Sequence, residues 1–207
     1  KTTILKSQFK INDKFIISSF NKYFITFIGL LFLYLFYLLI PILYDKGWVQ
    51  NKIESKFIDE FKINLSSSAD ISYRILPSPH YFIKNSKILI DNAESQKPIA
   101  DIKNLKVFLS QGNFFNKEKI TIKKVIINNA NFSLLSNDLK ILNEFSNNQF
   151  SNKKIKINDS NIFLKNNLNE TITIVKIDEA IFFYNSEKLV NLFNLKGKTF
   201  NVPFFFD

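Results

Sequence analysis

The chain has no cysteine and no methionine, one histidine, one tryptophan and four glycines among its 207 residues. Without Cys there are no disulfides, thiolate zinc sites or Cys nucleophiles. The missing disulfides do not decide compartment, because an exported domain of ordinary size folds without them. The four glycines are scattered, so the sequence holds no Gly-rich phosphate loop. The one histidine, His80, follows Leu76-Pro77-Ser78-Pro79. No strand-turn-helix nucleophile elbow surrounds Ser78, and a triad is defined by a geometry that Ser-Pro-His does not supply. His80 is therefore expected in a structural turn. Asp91, Asp101, Asp159 and Asp178 are dispersed and expected to be solvated. The sequence thus points to no catalytic residues, no metal ligands and no cofactor.

Arginine is nearly absent too. The formal charge is +10, yet Arg74 is the only Arg and every other cation is Lys. Nucleic-acid readers depend on Arg for bidentate contacts to guanine and phosphate. Its scarcity, with no recognition motif present, argues against a nucleic-acid partner. Lys, Asn, Ile and Phe dominate instead; all have AT-rich codons, so genome composition accounts for much of the charge.

Tyr23 to Leu43 is a long apolar stretch without a charged residue. As a helix it would be about 30 Å long, close to the hydrocarbon thickness of a bilayer. It is longer than a signal-peptide core, and Pro41-Ile42-Leu43-Tyr44 offers no small-residue cleavage site. It is expected to span a membrane. Lys1, Lys6, Lys10, Lys14 and Lys22 precede it against Asp13 alone, whereas the charges after it are mixed. That asymmetry predicts a cytoplasmic N-terminus, with the bulk of the chain on the other side. Tyr23, Tyr44 and Trp48 fall where interfacial aromatics belong. Lys1 as first residue, the absence of Met and the strand-like ending Val202-Pro203-Phe204-Phe205-Phe206-Asp207 read as a piece of a longer protein.

From Val49 to Leu65 a helix is predicted. Val49, Ile53, Phe57 and Phe61 recur every four residues as one apolar stripe, with Lys56 and Glu60 one turn apart on a polar face. The stripe is expected to cap the sheet that follows rather than lie on a membrane. After Ala69 the period falls to two. Strands are predicted at Ile71 to Ile75, Tyr81 to Ile90, Ile99 to Leu109, Ile120 to Asn128, Ala130 to Leu135, Ile155 to Leu164, Thr171 to Tyr184 and Leu195 to Phe206. Leu76 to His80 is a proline break, and Asn166 to Asn169 a hairpin loop. Leu139 to Phe150 and Glu187 to Phe193 are expected as short helices.

A six-residue pattern recurs: apolar, any, polar, small, any, apolar. It reads Ile83-Lys84-Asn85-Ser86-Lys87-Ile88, Ile127-Asn128-Asn129-Ala130-Asn131-Phe132, Ile157-Asn158-Asp159-Ser160-Asn161-Ile162 and Ile177-Asp178-Glu179-Ala180-Ile181-Phe182. Its apolar ends are five apart, which in a regular strand puts them on opposite faces. A bulge or bend at the small residue would return them to one face.

The chain resembles the N-terminal part of the AsmA family, inner-membrane proteins of Gram-negative bacteria with large β-rich periplasmic domains. The resemblance covers residues 20 to 135. It rests on the anchor, the helix after it, Ile71-Ser72-Tyr73-Arg74-Ile75-Leu76-Pro77-Ser78-Pro79, the strand ending in Asp91-Asn92-Ala93, the segment Ile99 to Val107, and the strand pair within Ile122 to Leu135. Asn129-Ala130 departs from a Gly-Pro common in the family. The resemblance implies a periplasmic β-groove that carries phospholipid between membranes and supports outer-membrane biogenesis. The competing reading is a membrane-tethered scaffold for outer-membrane or periplasmic proteins.

The expected architecture is therefore mainly β: a curled antiparallel sheet, taco-like, preceded by a transmembrane helix and a short amphipathic helix. Residues 1–22 would be a cytoplasmic basic segment, 23–43 the span, 44–65 the connecting helix and 66–207 the β-rich domain. Ile88, Ile90, Val107, Leu109, Ile122, Ile162, Leu164 and Phe183 are the candidate lipid-facing positions, with Lys87, Lys106 and Lys123 expected on the opposite face.

Overall fold

The computed structural model describes residues 19–68, 70–92, 95–135 and 149–207. The cytoplasmic segment predicted before Ser19, Ala93 of the polar turn and most of the helix expected at Leu139 to Phe150 lie outside the described residues. Two compact units are present, one running to Tyr37 and the other spanning Leu38–Asp207.

The first unit holds most of α1, Ser19–Leu39, which a 3-10 turn, Ile40–Leu43, extends. Asn21–Leu43 forms a helical stretch long and apolar enough to cross a membrane. Its side chains are largely exposed, as a lipid-facing helix requires.

In the second unit Asp45 caps α2, Lys46–Lys56, its carboxylate accepting from Trp48 N at 2.8 Å. A π turn, Phe57–Phe61, prolongs it, and Lys62 in the left-handed region ends it. The predicted helix to Leu65 therefore stops four residues early. Val49, Ile53, Phe57 and Phe61 are all buried, as the four-residue stripe requires.

The strands are β1 (Asn64–Ser66), β2 (Ile71–Arg74), β3 (His80–Asn92), β4 (Ser95–Leu109), β5 (Ile122–Leu135), β6 (Lys154–Lys165), β7 (Thr171–Asn185), β8 (Val190–Thr199) and β9 (Val202–Phe206). They form one open nine-stranded sheet in the order β1-β3-β4-β5-β6-β7-β8-β9, with β2 sharing the β1 edge of β3. The fold is mainly β, as expected, with one difference in pairing. β5 and β6 run parallel, and every other pair is antiparallel. A parallel pair cannot be joined by a tight hairpin turn.

Three sequence expectations change in detail. The strands expected at Ile120 to Asn128 and Ala130 to Leu135 are one continuous strand, β5, which starts at Ile122. Glu187 to Phe193 is a turn followed by β8 rather than a helix. The predicted strand Leu195 to Phe206 is a hairpin, folded at Phe200 and Asn201, both with positive φ. Two consecutive left-handed residues match the right-handed twist of the strands they join.

Candidate functional site

Directly paired residues on neighbouring strands point to the same face, so the register sorts the whole sheet. One face carries Tyr81, Val107, Val125, Ile155, Phe182 and Phe193 in a transverse row, and beside it Ile83, Leu105, Ile127, Ile157, Ala180 and Leu195. The other face carries Lys84, Asn104, Asn128, Asn158, Glu179 and Lys196 in one row, and Lys87, Asp101, Asn131, Asn161, Lys176 and Lys198 in another. It is held by amide pairs, Asn158 to Asn128 at 2.9 Å and Asn161 to Asn131 at 3.2 Å, and by the Lys156–Glu179 ion pair. The Lys156 hydrogen bond keeps the Glu179 carboxyl below its usual range.

A crease crosses the sheet. Between β3 and β4 the pairing steps from Lys84↔Asn104 to Ser86↔Ile102, leaving Asn85 and Lys103 outside the ladder. Lys103 and Asn129 are left out between β4 and β5, and Asp159 and Asp178 between β6 and β7. Asn85, Asn129 and Asp159 adopt positive φ of 55°, 55° and 46°. Asn and Asp tolerate this region because their short polar side chains bond locally. The extra residue lets Ile83, Ser86 and Ile88 share a face and be buried together, and likewise Ile157, Ser160 and Ile162 share one face. The repeat thus produces the bent strands it predicts, but the displaced residue stands one place before the small one. In β7 it is Asp178, without positive φ. The small residue then clears the inner side of the bend. Ser160 also repairs it, its Oγ accepting from Ala130 N at 3.0 Å and donating to Asn158 O at 2.8 Å.

The crease separates two parts of the apolar face. On the first, α2 lies as a roof: Val49 and Ile53 meet Tyr81, Leu109, Ile120 and Ile122 around a small cavity. The roof is fixed at the sheet edge. The Glu54 carboxylate accepts from Ser67 N at 2.7 Å and Ser67 Oγ at 2.8 Å, and Gln50 Nε2 donates to Ser67 O at 2.8 Å. Beyond the crease, Phe132, Ile162, Leu164 and Val175 are only half-buried.

The eight candidate positions divide accordingly. Val107, Leu109 and Ile122 are at most 2% exposed and belong to the closed core under α2, which corrects the expectation of an open surface there. Ile88 is buried beyond the crease, opposite Leu65 of β1. Ile90, Ile162 and Leu164 are half-buried on the uncovered part of the apolar face. Phe183 pairs with Leu192 on the polar face, where Lys154 Nζ sits 4.9 Å from its ring, so it is no candidate for an apolar trough.

His80 is buried, stacked on Phe108 at 4.8 Å, with Nδ1 2.8 Å from Ser78 O. Burial pushes its pKa below 6.5, and Lys106 and Arg74 add to this, against the opposing Ser78 hydrogen bond. The imidazole holds the proline turn to the sheet. A cavity of about 270 Å³ at the end of α2 is lined by Glu60, Lys62, Ser151, Lys153 and four apolar side chains among others. No group of three or more acidic or histidine side chains suited to a metal occurs among the described residues.

Two contacts escaped the sequence. Tyr73 and Tyr81 donate their hydroxyls to Leu38 O at 2.6 Å and Pro41 O at 3.1 Å. Both acceptors are carbonyls near the end of a helical segment, and Pro41 O also accepts from Tyr44 N at 3.4 Å. Burial, with Tyr73 and Tyr44 nearby, pushes the Tyr81 hydroxyl pKa far up, keeping it a donor. Alternation marked both residues only as strand positions.

No family model and no curated protein matches the chain. The likeness to the AsmA family therefore rests on the quoted residues alone.

Proposed function

We propose that this chain is a single-pass, inner-membrane-anchored periplasmic protein of the AsmA type, with its N-terminus in the cytoplasm, that conducts phospholipid along the uncovered part of its apolar sheet face in support of outer-membrane biogenesis. One observation carries the reading. A single open sheet has a continuous apolar face that α2 covers only on one side of the crease, leaving Phe132, Ile162, Leu164 and Val175 partly open. Each methylene kept from water is worth about 0.8 kcal/mol, so such a face is a favourable seat for acyl chains, while a headgroup stays in solvent. The role needs no bond to be made or broken.

The strand alternation of β6 supplies the test. A photo-crosslinking side chain at Ile162 or Leu164 captures phospholipid in cells, and one at Asn161 on the polar face captures little. Val107, under α2, serves as the closed-core control and captures none. Equal labelling at Leu164 and Asn161, or none at either, overturns the conduit. The scaffold reading draws on a different feature: β9 is the last strand of the sheet, and Phe205 and Phe206 on it are exposed. An exposed strand edge takes partners by strand addition. Protein crosslinks from Phe205 without lipid crosslinks from Leu164 would select it.

A further inference from the structure

The end of the sheet nearest Tyr44 carries large exposed apolar side chains and a set of lysines beside them. Leu43, Leu76 and Phe115 are 80%, 81% and 83% exposed, among the most exposed large apolar residues in the second unit. They come from three different segments: the 3-10 turn, the proline turn between β2 and β3, and the loop between β4 and β5. Contacts within the second unit hold these segments together. The Tyr44 hydroxyl donates to Phe114 O, and Phe114 is fully buried beside the exposed Phe115. Leu109 N donates to Pro79 O at 3.0 Å, joining the proline turn to the start of the β4–β5 loop. Lys117 Nζ lies 5.4 Å from the Trp48 ring, and Lys52 pairs with Glu118 at 3.0 Å, fastening the loop to α2. Lys46, Lys117 and Lys119 are exposed around this cluster.

We propose that this end of the sheet is a membrane-docking surface, in which Leu76 and Phe115 enter the headgroup region of the bilayer and Lys46, Lys117 and Lys119 meet anionic phospholipid headgroups. The proposal rests on the reading of α1 as a membrane span. Covalent continuity names the occupant. Leu43 is the last residue of the apolar stretch Asn21–Leu43, so a chain that spans a bilayer there emerges at Tyr44. Tyr44 is hydrogen-bonded to the loop that presents Phe115, and loop and bilayer surface must then be neighbours. Aromatic and basic side chains suit that zone, where a ring has one wet edge and an ammonium can reach phosphate. A Lys near an anionic surface is attracted to it, and the attraction weakens as salt rises. The docked end would hold the sheet against the lipid it draws from, instead of leaving it free on a tether.

The full chain in lipid nanodiscs provides the test, because Trp48 is its only tryptophan. In a Trp48→Phe background a single Trp is placed at Phe115, Leu76, Leu168 or Phe32, and quenching by lipids brominated high or low on the acyl chain is measured. Phe115→Trp and Leu76→Trp are expected to be quenched several-fold more by the shallow label than Leu168→Trp, a distal loop position that is 79% exposed. The difference should be larger in nanodiscs containing phosphatidylglycerol than in pure phosphatidylcholine, and Lys117→Gln with Lys119→Gln should remove that gain. Phe32→Trp, within α1, must be quenched by the deep label. If it is not, the span fails and the docking surface fails with it. If Phe32→Trp is quenched but Phe115→Trp and Leu76→Trp match Leu168→Trp, the docking surface alone is overturned. Quenching that ignores lipid charge and the lysine substitutions overturns the headgroup contacts.

Discussion

Deleting Asn129 should be far more damaging than replacing it. The residue stands at the crease in β5 with a φ of 55° and lies outside the ladder with β4. Val125 and Ile127, before it, are locked under α2, at 0% and 2% exposure. Without the extra residue the second half of β5 must turn over, carrying Ala130, Phe132 and Leu134 to the polar face and Asn131 and Ser133 inward. Exposing Leu134 costs about 2 kcal/mol, and Phe132, half-buried at the start, about 1 kcal/mol. Losing the Ala130 N to Ser160 Oγ bond adds about 1 kcal/mol. The deletion should therefore cost about 4 kcal/mol, out of about 5–15 kcal/mol for a typical domain. Asn129→Val keeps the count but forces a β-branched residue into the left-handed region, at about 1–2 kcal/mol. Asn129→Gly fits that conformation and should lie within about 0.5 kcal/mol of the parent. Urea unfolding of the detergent-solubilised chain, followed by Trp48 fluorescence, ranks the three. A deletion that unfolds at the parental midpoint, or a Val variant no worse than the Gly variant, would refute the crease as the element setting which residues face inward.

Val107→Asp should lower the urea midpoint by several kcal/mol equivalents or prevent folding, since it buries an unpaired charge in the closed core. Leu164→Asp, half-buried beyond the crease, should fold with a loss of about 1–2 kcal/mol; equal damage at both sites would show that no part of the face is open. His80 is held neutral by burial, so the unfolded chain takes up its proton first. Stability should be constant above pH 6.5 and fall as pH drops below it towards the depressed native pKa. His80→Phe, which preserves the stack on Phe108, should flatten that part of the stability–pH curve. Gly197→Ala should cost about 1–3 kcal/mol, because a Cβ there collides with Lys176 O of β7 and lies 3.1 Å from the Phe204 ring of β9; an unchanged midpoint would mean that β8 does not approach β7 and β9 this closely.

What the sequence revealed depends on whether one reading of the residues excludes the other. Val49, Ile53, Phe57 and Phe61 admit only a helical period, and they form the buried stripe of α2 and its π extension. Strict alternation over Lys154 to Asn158 of β6 admits only one inward phase. In Phe182-Phe183-Tyr184 both phases are aromatic, so alternation cannot choose between them, and only the register shows that Phe182, not Phe183, pairs into the apolar row. Strand direction is hidden for the same reason. The face a residue takes is the same whether β6 runs with β5 or against it, so the parallel pair left no trace. Val107 and Leu164 look alike as alternating apolar residues. They differ only in whether α2 lies above them, a question of tertiary placement that local pattern does not carry.

The recurrent motif has a reason that lies in pairing rather than duplication. One extra residue in a single strand shifts the register of every pair beyond it. The shift is avoided when the neighbour carries an extra residue at the same level. Asn85 is answered by Lys103, Lys103 by Asn129, and Asp159 by Asp178. Once β3 is creased, β4 to β7 must be creased too, and each must keep an apolar residue three places from the small or apolar residue that follows. Ile102-Lys103-Asn104-Leu105 obeys this spacing without matching the motif's residue types. The constraint ends where the strand no longer answers: between β7 and β8 only Asp178 is left out, and the register shifts there. The crease therefore stops at β8, and the hairpin of β8 and β9 continues the sheet without it.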